Sequence, residues 1–281
     1  MKYYRPDTLT QYFDYVSALD LSQAVILAGG TDLIPKYERG MTLPDHLIDI
    51  KAIEELQGIT DQEEAIEIGS LTTIESLKQD DIIRCQFPAL ALAADAFAGV
   101  QIRHRATLGG NIVNASPAGD TLPPLYAYKA TARITGPEGE RHVPLADFIQ
   151  GPGRVSLNPG ELLQAIMIPK TTKRSFFYKL GLRRAMAIAV ANFAVVYATK
   201  DHHFSDLTIA AGAVAPQVVY LNSLADAMIR DGLPQQEALD LIEQDIAPID
   251  DIRGSAAYRR RALKNLLGYY LDRLLEQSHG G

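Results

Sequence analysis

The sequence predicts an α+β protein of two domains, on three observations. Its 281 residues exceed one domain of roughly 100–200 residues. Apolar residues make up 47% and charged residues 22%, with a mean hydropathy of −0.03. That balance is ordinary for a globular chain, and one of this length folds without disulfides or a structural metal. In the last hundred or so positions, strand-like runs precede helical ones, the order of a sheet with helices on one face.

The elements follow in order. Residues 25–28 are a short apolar strand closed by Gly29-Gly30. A helix then starts at Thr31-Asp32 and runs through Leu33, Ile34 and Tyr37, with Thr31 as N-cap and Asp32 at its positive end. Pro35 is tolerable in its first turn, and Gly40 stops it. Residues 46–50 form a second apolar strand, and 57–60 with 65–69 a hairpin around the polar turn 61–64. Helices are expected from 73 to about 78 and over 88–98, the latter alanine-rich and opened by Pro88. Residues 130–134 and 141–144 make another hairpin around Gly136-Pro137-Glu138-Gly139. Gly151-Pro152-Gly153 and Asn158-Pro159-Gly160 bracket a loop before a strand over 162–168, ended by Pro169.

Between 169 and 175 apolar content falls and Lys, Arg and Thr rise, which marks a domain boundary. Beyond it, strands are expected over 176–182, 188–199 and 207–214, a three-stranded antiparallel sheet. Helices are expected over 220–230, 235–243 and 255–277. In the last helix Leu263, Leu266, Leu267, Tyr270, Leu271 and Leu274 recur at helical spacing, a core-packing stripe.

Charge and cysteine usage exclude several function classes. The net charge is −7 and the pI about 5.4, without the basic stripe of a nucleic-acid binder. Arg259-Arg260-Arg261 reads as a solvated helix face. The lone Cys85 can form no internal disulfide, hold no cluster alone, and reads as a small apolar filler. Six histidines show no ligand spacing, so no metal site is expected. The N-terminus lacks an apolar signal region, and the apolar run over 185–198, broken by Asn192, falls short of the ~20 residues of a membrane span. A cytoplasmic protein is expected.

Two glycine loops carry the functional signal. In Leu27-Ala28-Gly29-Gly30-Thr31-Asp32-Leu33, glycines between a strand and a helix start let the backbone approach a bulky anion. A strand simply ending in Gly-Gly is the alternative. Neither GxGxxG after this strand nor GxxxxGK[ST] anywhere is present, so the Rossmann and P-loop readings lack their fingerprints. The second loop, from Thr107-Leu108-Gly109-Gly110-Asn111 through Asn114, Ser116 and Gly119-Asp120, is dense in small, hydroxylated and amide residues. It buries little area of its own, and a long polar cofactor would supply its missing hydrogen-bond partners.

Together the two loops resemble those of the FAD-binding (medium) subunits of the xanthine dehydrogenase and carbon monoxide dehydrogenase family of molybdenum hydroxylases. His46-Leu47-Ile48-Asp49-Ile50 adds to the likeness, as do Tyr178-Lys179 through Arg183-Arg184 and Ile188-Ala189. Order and spacing agree over nearly the whole chain, from Arg5-Pro6 to about residue 275.

The resemblance implies a two-subdomain FAD-binding domain of the PCMH or vanillyl-alcohol-oxidase type over 1–172, divided near 55, and a C-terminal flavoprotein domain over 173–281. It implies that the backbone of Leu27, Ala28, Gly29, Gly30, Thr31, Asp32 and Leu33 embraces the FAD diphosphate. Thr107, Gly110, Asn111, Asn114, Ser116 and Asp120 would hold the rest of the cofactor, with Leu163 and Lys179 near the ring system. A cation at Lys179 would favour the anionic reduced flavin, and Arg103 is a candidate for either a phosphate contact or an ion pair. No residue is assigned as catalytic, since the flavin carries the chemistry.

By the same resemblance the chain works with a small iron–sulfur subunit (2Fe-2S) and a large molybdenum-cofactor subunit, as a dimer of heterotrimers. It would pass electrons through FAD to NAD, a quinone or dioxygen. A self-sufficient flavin oxidase and a non-catalytic flavin-holding scaffold stay open as alternatives.

Overall fold

The structure is a computed structural model and describes residues 1–183, 186–229 and 235–277. Arg184 of the family phrase, Ala185, the last residue of the helix expected over 220–230 and His279 lie outside the described residues.

The first layer is a parallel sheet of β1 (Lys2–Tyr4), β2 (Ala24–Leu27) and β3 (His46–Asp49), with β3 in the centre. Helix α1 (Leu9–Ala18) crosses from β1 to β2, capped by the Thr8 hydroxyl, which accepts from Gln11 N. Its Tyr12 and Val16, one turn apart, are buried with Ile48, Ile50, Ile53 and Leu56. From the C-terminal end of β2 the chain enters the first glycine turn and then α2 (Leu33–Glu38).

The second layer is antiparallel. β4 (Ile59–Asp61), β5 (Ala65–Gly69), β6 (Thr131–Gly136), β7 (Gly139–Pro144) and β10 (Leu162–Pro169) pair in the order β4-β5-β10-β6-β7. The small hairpin β8 (Ile149–Gly151) and β9 (Arg154–Val155) lies apart from it. Both expected hairpins are present, and Gly139 supplies the φ of +117° that the second turn requires.

Between β5 and β6 the chain forms a run of short helices: α3 (Ile74–Gln79), α4 (Asp81–Gln86), α5 (Pro88–Ala96), α6 (Val100–Arg103), α7 (Leu108–Val113) and α8 (Leu122–Ala127). One-turn α9 (Leu145–Phe148) follows β7. The hydroxyls of Thr73 and Thr107 and the carboxylate of Asp80 cap α3, α7 and α4 respectively. These helices and the antiparallel sheet share one core, including Ile66, Ile68, Phe87, Leu90, Leu108, Leu125, Phe148 and Ile166.

The C-terminal sheet is β11 (Arg174–Gly181), β12 (Ala189–Lys200), β13 (His203–Gly212) and β14 (Val219–Tyr220), all antiparallel. It has a fourth strand, which takes in Tyr220, the residue expected from the sequence to open a helix. Val219-Tyr220 hydrogen-bonds to β13 as a two-residue edge strand, and the helix starts only at α10 (Asn222–Ile229). Helices α11 (Gln235–Ala238) and α12 (Ala256–Gln277) complete the domain.

Strand β12 is buried on both faces, which explains its near-continuous apolar sequence. Ala191, Phe193, Val195 and Tyr197 pack among the C-terminal helices, while Ala194 and Val196 belong to the core of the first domain.

Two expectations are corrected here. Arg259 is not on a solvated face: it is 3% exposed. Its guanidinium donates to the carbonyls of Val190 and Ala213 and to Asp251, tying α12 to the ends of β12 and β13. Cys85 is no apolar filler: α4 turns its thiol to solvent.

Candidate functional site

The first turn leaves β2 where its edge position frees the backbone. Among the described residues, none of the backbone N–H groups of Gly29, Gly30, Thr31, Asp32 and Leu33 has a protein acceptor. The first bond back into the turn is Ile34 N to Gly30 O, at 3.0 Å. Gly30 takes φ +75°. Asp32, not Thr31, is the residue flanking α2, and its carboxylate pairs with Lys36 at 2.5 Å instead of capping. Five unpaired donors on one short turn form a nest for an anion.

The second loop is built differently. It is helical from Leu108, and its first N–H groups are all engaged. Leu108 N donates to Thr72 O, Gly109 N to Ser70 O, and Gly110 N to the Thr107 hydroxyl. What it offers is side chains, namely Thr107, Asn111 and Asn114.

Glycine lets each loop lie close against a neighbouring segment. A Cβ on Gly29 would sit 2.1 Å from the Arg105 carbonyl oxygen, and one on Gly109 would sit 2.5 Å from the Ser70 Cβ. Side chains at these positions would force the walls of the site apart. The glycines serve contact between protein segments as much as approach to a ligand.

Between the loops lies a cleft of about 500 Å³, within the usual size range of ligand sites. Leu27, Ala28, Gly29, Gly30, Thr31, Asp32 and Leu33 line it on one side, with Thr107, Gly110, Asn111 and Asn114 on the other and Leu163 of β10 at the base. Three anticipated residues lie off its walls. Ser116 caps a local turn, its hydroxyl accepting from Ala118 N at 3.3 Å. Asp120 and Lys179 form a buried ion pair at 2.6 Å.

The lysine ammonium also donates to Ala96 O at 3.0 Å, just before the cleft-lining Phe97 and Ala98. The ammonium expected at Lys179 is thus paired with a carboxylate, and the pair is close to neutral. Burial pushes the Asp120 carboxyl up, the neighbouring Lys179 ammonium opposing that shift. Arg103 binds Glu75 at 2.7 Å and the Phe97 carbonyl, so of its two readings the ion pair is the one formed.

Sequence reasoning missed Ser70, Phe97, Ala98, Ile102 and Glu161, all of which line the cleft. Glu161 carried no local signal. Its carboxylate takes two bonds from Arg141, at 2.9 and 2.7 Å, and two more from Asn158. The Arg141 hydrogen bonds hold its carboxyl down at about 2.

A carboxyl lowered in this way stabilises the fold above its unfolded-chain value, and the contribution goes as pH falls towards 2. We expect the parent to lose roughly 1–3 kcal/mol between about pH 5 and pH 2 that Glu161→Gln does not lose. Urea unfolding at stepped pH measures it. Identical acid profiles for the two proteins would refute the assignment.

Known proteins match the chain over nearly its whole length. Residues 1–171 match the family model of the FAD binding domain in molybdopterin dehydrogenase, and residues 176–274 that of the CO dehydrogenase flavoprotein C-terminal domain. The chain is 34% identical over 272 residues to the xanthine dehydrogenase FAD-binding subunit of Escherichia coli O157:H7, covering 94% of this chain and 92% of that one. It is 30% identical to the carbon monoxide dehydrogenase medium chain of Afipia carboxidovorans, over 98% and 96% of the two chains. A chain of reconstituted CO dehydrogenase from Oligotropha carboxidovorans superposes with a TM-score of 0.92 at 29% identity, over 98% of each chain.

Proposed function

The chain belongs to the FAD-binding subunits of the molybdopterin dehydrogenases, and from that premise we propose that it holds FAD in the cleft between its two glycine loops and relays electrons for a partner. The observation that carries this reading is the run of unpaired N–H groups from Gly29 to Leu33, on residues that line one cavity together with Asn111 and Asn114. These residues fit the group. A diphosphate would be met by backbone dipoles that need no reorganisation, and the Asn side chains offer both donors and acceptors to hydroxyls.

FAD supplies the redox chemistry when bound. The protein's own part is placement and exclusion of water. Leu27, Leu71, Ile102 and Leu163 make much of the wall apolar, so the cleft lowers the dielectric around whatever it holds. Among the described residues no group of His, Cys, Asp and Glu could hold a metal. In this reading the molybdenum cofactor and 2Fe-2S clusters belong to partner subunits, a large chain and a small one, in a dimer of heterotrimers. Electrons arrive from the iron–sulfur subunit and leave to NAD, a quinone or dioxygen.

No helix among the described residues is long and apolar enough to cross a membrane. A cytoplasmic location is part of the same proposal.

The test is direct. The full chain is titrated with FAD, followed by quenching of flavin fluorescence, and saturation at one FAD per chain is expected. A reduced iron–sulfur partner should then bleach the bound flavin. A chain that binds no FAD sinks the reading. One that binds FAD but is never reduced by the partner would leave a flavin-holding scaffold.

A further inference from the structure

Asn192 is fully buried in β12, and it is the one amide in an otherwise apolar stretch, residues 189–197. Its side chain lies on the face of β12 that meets the first domain, the face of Ala194 and Val196. There Nδ2 donates to Asp120 Oδ1 at 3.2 Å, while Lys179 Nζ donates to Asp120 Oδ2 at 2.6 Å. Both oxygens of this carboxylate are thus held from the C-terminal sheet.

The neighbouring strand is fitted to the same contact. A Cβ on Gly212 would lie 2.3 Å from Asn192 Oδ1 and 3.0 Å from the Pro117 carbonyl, and Ala213 N donates to that carbonyl at 2.8 Å. Strands β11, β12 and β13 therefore each grip the segment 114–121. Its two ends reach the cleft: Asn114 lines it, and the Thr121 hydroxyl donates to Oδ1 of the cleft-lining Asn111 at 2.7 Å.

We propose that Asn192 is a positioning residue for the cofactor: by holding Asp120 from the C-terminal sheet it fixes the 114–121 turn, and through it Asn111 and Asn114 on the cleft wall. The inference rests on the FAD reading above and deepens it.

The chemistry of the amide supports the assignment. Asn192 Oδ1 has no hydrogen-bond partner among the described residues. An orphaned buried acceptor is costly, so a residue that brings one into a core is there for its donor. An apolar residue of similar size would leave Asp120 Oδ1 bare. A carboxyl would set two acids against one lysine.

Among the described residues Lys179 is the sole charged group facing Asp120. From β13 comes Gly212, from the end of α5 the Ala96 carbonyl, and the acid of α5, Asp95, pairs with Lys78 at 2.7 Å.

The experiment measures the FAD Kd of the full chain from about pH 5.5 to about pH 9. For Asn192→Asp, the ratio of variant to parent Kd should be near one at the acid end, where the introduced carboxyl keeps a proton and donates it to Asp120. It should rise about tenfold at the alkaline end, where two carboxylates face each other. For Asn192→Leu, which cannot donate, binding should be about tenfold weaker at every pH. Should the acidic variant fail to fold, the leucine variant carries the test.

A ratio for Asn192→Asp that does not move with pH, or parent-like binding by Asn192→Leu, overturns the proposal. A parent that takes up no FAD defeats the cofactor reading itself and this inference with it, and is seen before any variant is made.

Discussion

Replacing Gly29 with alanine is expected to weaken FAD binding on the order of 100-fold and to cost about 2–3 kcal/mol of stability. The added Cβ would lie 2.1 Å from the Arg105 carbonyl oxygen and 3.1 Å from the Ala106 Cα. Both obstacles are backbone, so no rotamer change relieves them. The first turn must retreat from the backbone of residues 105–106, which leads into the second loop. The N–H nest at residues 29–33 then no longer opposes Asn111 and Asn114 across the same gap.

Gly30→Ala makes the contrast. Gly30 has φ +75°, and an added Cβ meets only side-chain atoms, Leu27 Cδ1 at 3.1 Å and Ile34 Cγ1 at 3.3 Å. Its cost should be closer to ~1 kcal/mol, the ordinary strain of an L residue in that region. Calorimetric FAD titration and urea unfolding of both variants check the ranking. Parent-like affinity in Gly29→Ala would show that contact between the loops does not shape the site.

Much of this was readable in the chain where local chemistry decides. The hairpins around residues 61–64 and 136–139 and the helix opened by Pro88 carry their own turn and cap residues. The glycine loops announced themselves by composition, and eleven of the loop residues assigned to the cofactor, with Leu163, do line one cleft. What escaped depends on tertiary contact.

Helix α4 escaped because Asp80 ends α3 and caps α4 at once, so two short helices abut without a loop between them. The second glycine loop is helical because Thr107 caps it and the segment around Ser70 receives its first N–H groups, facts no periodicity reveals. Arg259 looked solvated beside two other arginines. Its acceptors, the carbonyls of Val190 and Ala213, lie about 46 to 69 positions away along the chain. Glu161 and Arg141 are likewise joined only by the pairing of distant strands.

The second large effect belongs to the lysine of the buried pair. Lys179→Met should destabilise the protein by about 3–5 kcal/mol at neutral pH, because it leaves the Asp120 carboxylate buried with Asn192 as its one side-chain donor among the described residues. The loss should shrink on acidification. Burial already pushes the Asp120 carboxyl up in the parent, and removing the opposing ammonium pushes it further. A carboxyl raised in the fold binds its proton more tightly there than in the unfolded chain, so stability grows as pH falls through the folded value and is lost as pH rises through it.

A double variant, Lys179→Met with Asp120→Leu, removes the orphaned charge and should regain part of the lost stability: a buried pair exchanged for apolar groups is often neutral, but the Asn192 amide then loses its acceptor, at about 1–3 kcal/mol. Its FAD affinity should stay low, because the turn at 114–121 is no longer gripped from β11 and β12. Recovery of stability without recovery of binding would assign the pair to the site and not to the scaffold. Thermal unfolding at stepped pH, paired with FAD titration, separates the two. If the single variant is as stable as the parent at pH 7, the ion pair contributes nothing and the argument from its burial is wrong.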